Sequence, residues 1–141
     1  MKPFVSVIIP SYNCKSTLKK TVDSILKCGL RQFEILLVDD GSTDETLQVC
    51  RELAAQSPII TYTHQQNQGV SEARNQGLRA ATGDYIWFFD SDDFVDPGSL
   101  AHVVQILDDR KPDLLIFGMT FDSFKNDKLC RRTILQYDKE E

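Results

Sequence analysis

Apolar and polar positions follow two rhythms along this chain. "FVSVIIP" (4–10) is a short β-branched run closed by Pro10, which predicts a buried strand. Leu18, Val22, Ile25 and Leu26 then recur at helical spacing, and Gly29 offers a C-terminal stop. "FEILLVDD" (33–40) predicts a second strand. "STDE" (Ser42 to Glu45) has the form of a capping box, opening a helix that turns Leu47, Cys50 and Leu53 inward. "IITYTH" (59–64) predicts a third strand, "GVSEARNQGLRAATG" a helix from Ser71 to a stop at Gly83, and "DYIWFF" (84–89) a fourth strand. Asp96-Pro97 predicts an N-cap with proline at the first helical position, and Leu100, Val103, Val104 and Leu107 form that helix's inner face. "DLLIFGMTF" (113–121) predicts a fifth strand. Beyond Phe121 the pattern weakens to a strand and loop or a frayed end.

Strands that are apolar throughout, alternating with helices, imply an α/β fold with a mostly parallel sheet covered on both faces. In such sheets ligands bind beyond the carboxyl ends of the strands. Those ends carry the informative polar residues: Pro10-Ser11-Tyr12-Asn13 after strand one, Asp39-Asp40-Gly41-Ser42 after strand two, and Asp90-Ser91-Asp92-Asp93 after strand four. Three polar or acidic tips on one sheet edge define a candidate site.

Composition narrows the chemistry. With 141 residues the chain suits one domain, and a net charge of −5 argues against broad binding to nucleic acid. Its apolar runs are too short to cross a bilayer, and "MKPFVSVIIPSYN" has neither a long h-region nor a cleavage site. Cys14, Cys28, Cys50 and Cys130 are scattered, without a C-x-x-C pair, and only His64 and His102 could join them. Reduced thiols in a cytoplasmic protein are expected, and any metal must be oxygen-bound.

In extended chain Asp90 and Asp92 point the same way, and two hard oxygen ligands suit Mg²⁺ or Mn²⁺. No cation lies within five residues to relieve the repulsion among Asp90, Asp92 and Asp93. An isolated D-x-D is ordinarily an acidic turn; its place at a strand end beside two other polar tips favours a metal. Gly41, Ser42 and Glu45 fit a turn and helix cap, which leaves two aspartates at the strand end unexplained. One of these carboxylates can accept the N3–H of a uracil. Tyr12 is either a base-stacking ring or a loop aromatic. Arg74 either pairs with a phosphate, holds a site aspartate or lies on a helix surface. No nucleophile constellation such as G-x-S-x-G appears, and the absence of a phosphate loop and of a G-x-G-x-x-G after strand one disfavours P-loop kinases and Rossmann dehydrogenases.

Taken together, "VSVIIPSYN", "FEILLVDDGSTDET", "NQGVSEARNQGL" and "GDYIWFFDSDD" closely resemble the inverting family 2 glycosyltransferases with the GT-A (Rossmann-like) three-layer fold, from about Phe4 to Phe117. The resemblance implies transfer of a sugar from a nucleoside diphosphate donor, usually a UDP-sugar, to a carbohydrate or lipid-linked acceptor. Peripheral association with the inner face of the membrane is implied for a full-length protein. It further implies that Pro10 and Tyr12 line the base pocket, that Asp40 recognises uracil with Asp39 beside it, and that Arg74 lies near the nucleotide. Asp90 falls near the ribose and Asp92 on the metal, Mn²⁺ or Mg²⁺, with Asp93 adjacent. The family's catalytic base is a further aspartate, often in a Glu-Asp pair, and no such dipeptide follows Asp93. The expectation is therefore a donor-binding domain over residues 1–120 and the start of an acceptor-side region over 121–141, with the base beyond Glu141 and the chain inactive by itself. A non-catalytic nucleotide-sugar-binding module is the alternative.

Overall fold

The apolar run after Phe4 forms the central strand β1 (Val5–Ser11), in which Val7, Ile8 and Ile9 are wholly buried. In this computed structural model, which describes residues 2–96, 98–116, 119–125 and 128–135, the next seven elements run to Arg110. They are α1 (Leu18–Lys27), β2 (Phe33–Asp40), α2 (Thr46–Gln56), β3 (Ile60–Gln65), α3 (Val70–Ala80), β4 (Tyr85–Phe88) and α4 (Ser99–Arg110). The four strands make one sheet in the order β3-β2-β1-β4, every pair parallel. The α/β class and the parallel sheet thus match the sequence pattern.

Right-handed crossovers put α1 and α2 on one face, and the return from β3 across the sheet to β4 puts α3 on the other. Accordingly α1 lies beside α2, α2 lies against β2 and β3, and α3 lies against β1 and β2. Close approach of α3 depends on Gly77, where a Cβ would overlap the Ile8 side chain. At the amino end of the sheet, Glu34 Oε1 accepts hydrogen bonds from Ser6 Oγ (2.6 Å), the Thr82 amide (2.7 Å) and Thr82 Oγ1 (2.9 Å). The Gly83 amide donates to Ser6 Oγ at 2.8 Å, so the turn before β4 is stitched to β1 and β2.

Several elements differ from expectation. The inner face of α1 uses Thr21, while Leu26 is exposed. The capping box does not form: Ser42 Oγ accepts the Asn13 amide (3.0 Å), and the Thr46 amide is satisfied by Asp44 Oδ1 (2.9 Å). Helix α3 runs from Val70 to Ala80. Helix α4 begins at Ser99, later than proline at the first helical position requires; Pro97 itself lies outside the described residues. On β4, Ile86 and Phe88 are 39% and 43% exposed, so cover on both faces does not extend to this strand.

The fifth strand is the largest correction. Residues 113–116 are not in a strand, and Leu114 and Ile116 are exposed. Strand β5 (Met119–Lys125) instead pairs antiparallel with β6 (Lys128–Leu135) in a separate two-stranded sheet. An apolar run specifies no partner, and closing a short hairpin costs less loop entropy than reaching a distant parallel strand. The chain divides into two units, Met1–Val104 and Gln105–Glu141, with the boundary inside α4.

Candidate functional site

Beyond the carboxyl ends of β1, β2 and β4 the first unit opens into a cleft of about 550 Å³. Its walls include Pro10 from β1 and Tyr12 just after it, Asp40 from β2, Asn67 and Gly69 ahead of α3, and Asp90 and Asp92 after β4. The strand order doubles back at this edge, where open α/β sheets bind their ligands.

The first wall is held by Asn13. Its backbone is left-handed (φ 48°), which aims Oδ1 at the Thr43 and Asp44 amides at 2.8 and 3.3 Å. Together with the Asn13 amide bonded to Ser42, this fastens the β1–α1 loop to the β2–α2 loop. Tyr12, next to the fastener, stays 48% exposed, with its ring available to the cleft.

Successive residues of a strand face opposite sides, so Asp39 and Asp40 have different surroundings. Asp40 Oδ1 accepts Gln65 Nε2 and the Gln68 amide, both at 2.8 Å, and Oδ2 accepts the Gly69 amide at 2.9 Å. It therefore holds the loop entering α3 while bordering the cleft. Gly41 completes this junction: its φ is +70°, and a Cβ there would lie 2.6 Å from the Asn67 nitrogen. Asp39 is fully buried, and its Oδ2 lies 2.7 Å from Nδ1 of its register partner His64. Asp39 Oδ1 has no hydrogen-bond partner among the described residues. Burial, with the Asp39 charge second, pushes the Cys50 thiol up to about 12. Cys14, Cys28 and Cys50 are all free and buried.

The D-x-D segment is a turn and not extended chain, since the Asp93 amide donates to the Asp90 carbonyl at 3.2 Å. Helix α1 anchors it: Thr21 Oγ1 donates to the Ser91 carbonyl (2.9 Å) and Ser24 Oγ accepts the Val95 amide (3.2 Å). Cationic relief arrives from α3, a distant part of the sequence. Arg74 Nη2 donates to Asp90 Oδ1 at 3.2 Å, with its guanidinium 5.9 Å from the centre of the Phe88 ring. Desolvation, together with the charges of Asp90 and Asp92, holds the Asp93 carboxyl above its ordinary range. Among the described residues no three Asp, Glu, His or Cys side chains are grouped to hold a metal ion.

The structure thus gathers Pro10, Tyr12, Asp40, Asp90 and Asp92 around one cleft. Arg74 stands on Asp90, Asp39 lies buried against His64, and Asp93 is outside the lining. Gln65, the Gln68 and Gly69 amides and His64 escape a reading of the sequence alone. The signal was present in the polar run "HQQNQG", but its partners are fixed by strand register.

The family model described as glycosyl transferase family 2 matches residues 6–139. The chain belongs to glycosyl transferase family 2. It is 36% identical over 118 residues to the uncharacterized glycosyltransferase EpsJ of Bacillus subtilis, covering 84% of this chain and 34% of EpsJ. It is also 36% identical over 146 residues to the minor teichoic acid biosynthesis protein GgaB of the same organism, covering 96% and 16%. The chain therefore spans about a third or less of these relatives. Residues 1–349 of Staphylococcus aureus TarS, solved with UDP-GlcNAc, superpose with a TM-score of 0.70 at 30% identity, covering 79% of this chain and 32% of that one. The mannosyltransferase PcManGT of Pyrobaculum calidifontis, solved with GDP-Man and Mn²⁺, gives 0.67 at 30% identity, covering 77% and 33%. The fold of this family 2 chain is GT-A. Among its described residues no helix is long and apolar enough to cross a membrane.

Proposed function

We propose that this family 2 chain is the donor-binding part of an inverting glycosyltransferase that uses a UDP-sugar. One observation carries the reading: the cleft combines an exposed tyrosine ring, a carboxylate at a strand end and a D-x-D turn, all on the ligand-binding edge of the sheet. Tyr12 stacks on the base over Pro10, Asp40 accepts the uracil N3–H with Asp39 behind it, and Asp90 lies by the ribose. Arg74 orients Asp90 and supplies positive charge near the nucleotide.

The residues lining the cleft include three carboxylates, Asp40, Asp90 and Asp92, and no lysine or arginine. A diphosphate is repelled by such a wall unless a cation intervenes. Hard oxygen donors fit Mg²⁺ or Mn²⁺, which take few protein ligands and fill their shells with phosphate oxygens and water. Asp92 and Asp90 are the ligands, with Asp93 adjacent. A divalent ion bound there supplies charge neutralisation for the departing diphosphate. Residues 1–120 bind donor, and 121–141 begin the region facing a carbohydrate or lipid-linked acceptor. No Glu-Asp pair of the kind that supplies the family's base follows Asp93, so these residues bind donor without efficient transfer. The longer enzyme works in the cytoplasm, peripherally at the inner face of the membrane.

Calorimetric titration with UDP, GDP, CDP and TDP, with and without Mn²⁺, tests this reading. UDP should bind best and only weakly in chelator, and Asp92→Ala should remove both the metal dependence and most of the affinity. Equal binding of UDP and CDP refutes the role of Asp40. Equal binding of UDP in chelator and in Mn²⁺ refutes the metal.

A further inference from the structure

We infer that Gln65, a residue outside the cleft lining, is a positioning residue for base selection; this rests on Asp40 being the base acceptor. A carboxylate oxygen has two lone-pair sites. On Asp40 Oδ1 both are taken, by Gln65 Nε2 and by the Gln68 amide, each at 2.8 Å. On Oδ2 the Gly69 amide at 2.9 Å takes one. Asp40 is only 4% exposed, yet it borders the cleft. The remaining Oδ2 site is therefore the acceptor offered to a base, and it suits a ring N–H donor.

Gln65 holds that arrangement from behind. It is the register partner of Asp40 on β3, an edge strand of the sheet, and its side chain is half-buried. The two amides at Gln68 and Gly69 grip the carboxylate from the α3 side, and Gln65 is the side-chain donor that fixes its plane against them. Without that donor, Oδ1 regains an open site and the carboxylate is free to tilt. Two acceptors of uncertain direction discriminate poorly between a base edge that donates and one that accepts, because specificity is a difference between two affinities.

The test measures UDP and CDP affinities on the full chain, with thermal unfolding as a control. Gln65→Met keeps the length of the side chain and removes its N–H. The UDP-over-CDP ratio should fall roughly three- to tenfold, the net worth of one ordinary hydrogen bond. Gln65→Lys, which restores a donor, should recover the ratio, since its charge acts on both diphosphates alike. A merely structural role weakens both nucleotides equally and leaves the ratio unchanged, which overturns the inference. If Gln65→Met fails to fold, Gln65→Asn, polar but too short to reach Asp40, gives the same comparison. An unmutated chain with no preference for UDP over CDP overturns the Asp40 reading and this inference with it. A preference lost in Asp40→Asn but kept in Gln65→Met overturns the Gln65 inference alone.

Discussion

Replacing Gly77 with alanine sets helix propensity against packing, because the two act with opposite sign at this position. Inside α3 the change gains about 1 kcal/mol of propensity. Against it, the new Cβ overlaps Ile8 Cγ2 and sits 3.2 and 3.3 Å from Ile8 Cγ1 and Cβ. Ile8 is wholly buried in the central strand, and a β-branched side chain has little freedom about χ1. Three atoms of one rigid side chain leave no easy rotation, so α3 must lift from β1 and β2 together. Overpacking of this kind costs about 1–3 kcal/mol. Its upper end applies here, for a net loss of about 2 kcal/mol, or roughly 8 °C in Tm at this chain length. Urea unfolding followed by the fluorescence of the single tryptophan, Trp87, measures it. Ile8→Ala alone should cost about 2–5 kcal/mol. Combined with Gly77→Ala it should cost clearly less than the sum, because the clash is gone. A gain in stability of about 1 kcal/mol from Gly77→Ala alone refutes the packing argument.

Three further outcomes follow from the polar network. His64→Leu should lower stability by about 1–3 kcal/mol, since it strips the fully buried Asp39 of its one identified partner; an unchanged Tm argues against that pair. Burial works against ionisation of Glu34, but hydrogen bonds from Ser6, Thr82 and Gly83 prevail and hold its carboxyl below its ordinary value of 4.5. Its contribution is present above pH 4.5 and is lost as pH falls through the lowered folded value, so Glu34→Gln should flatten the acid limb of a stability-versus-pH curve. The Asp93 carboxyl is shifted the opposite way, so its contribution is present at low pH and lost as pH rises past its ordinary value of 3.8. Asp93→Asn should therefore raise Tm at pH 7 in metal-free buffer, and a fall in Tm would contradict the repulsion.

What the sequence reveals is what local physics determines. Runs such as "SVII" and "EILLV" have no polar face, so they had to become central parallel strands, and the polar tips had to share an edge. What it hides depends on partners distant in the chain. "STDE" reads as a capping box, but Asn13, about thirty residues earlier, captures Ser42 and the amides that follow. "DLLIFGMTF" reads as a strand, yet only register with β6 decides where pairing starts. The acidic run looks uncompensated until α3 brings Arg74 to Asp90. Asp39 and Asp40 read as a pair, whereas strand alternation gives each its own rung on β3 and its own task.

The cleft draws its walls from the ends of β1 and β2, the entry to α3 and the turn after β4, segments that span some eighty positions of the chain. No one of these segments contains the whole of it. A nucleotide that binds there is consequently a ligand of the native state alone, and mass action couples its occupancy to folding. At a hundred times its dissociation constant such a ligand adds about 2.7 kcal/mol to the unfolding free energy. The midpoint of thermal unfolding then becomes an affinity scale, on which nucleotides, metals and variants can be ranked without any acceptor or turnover.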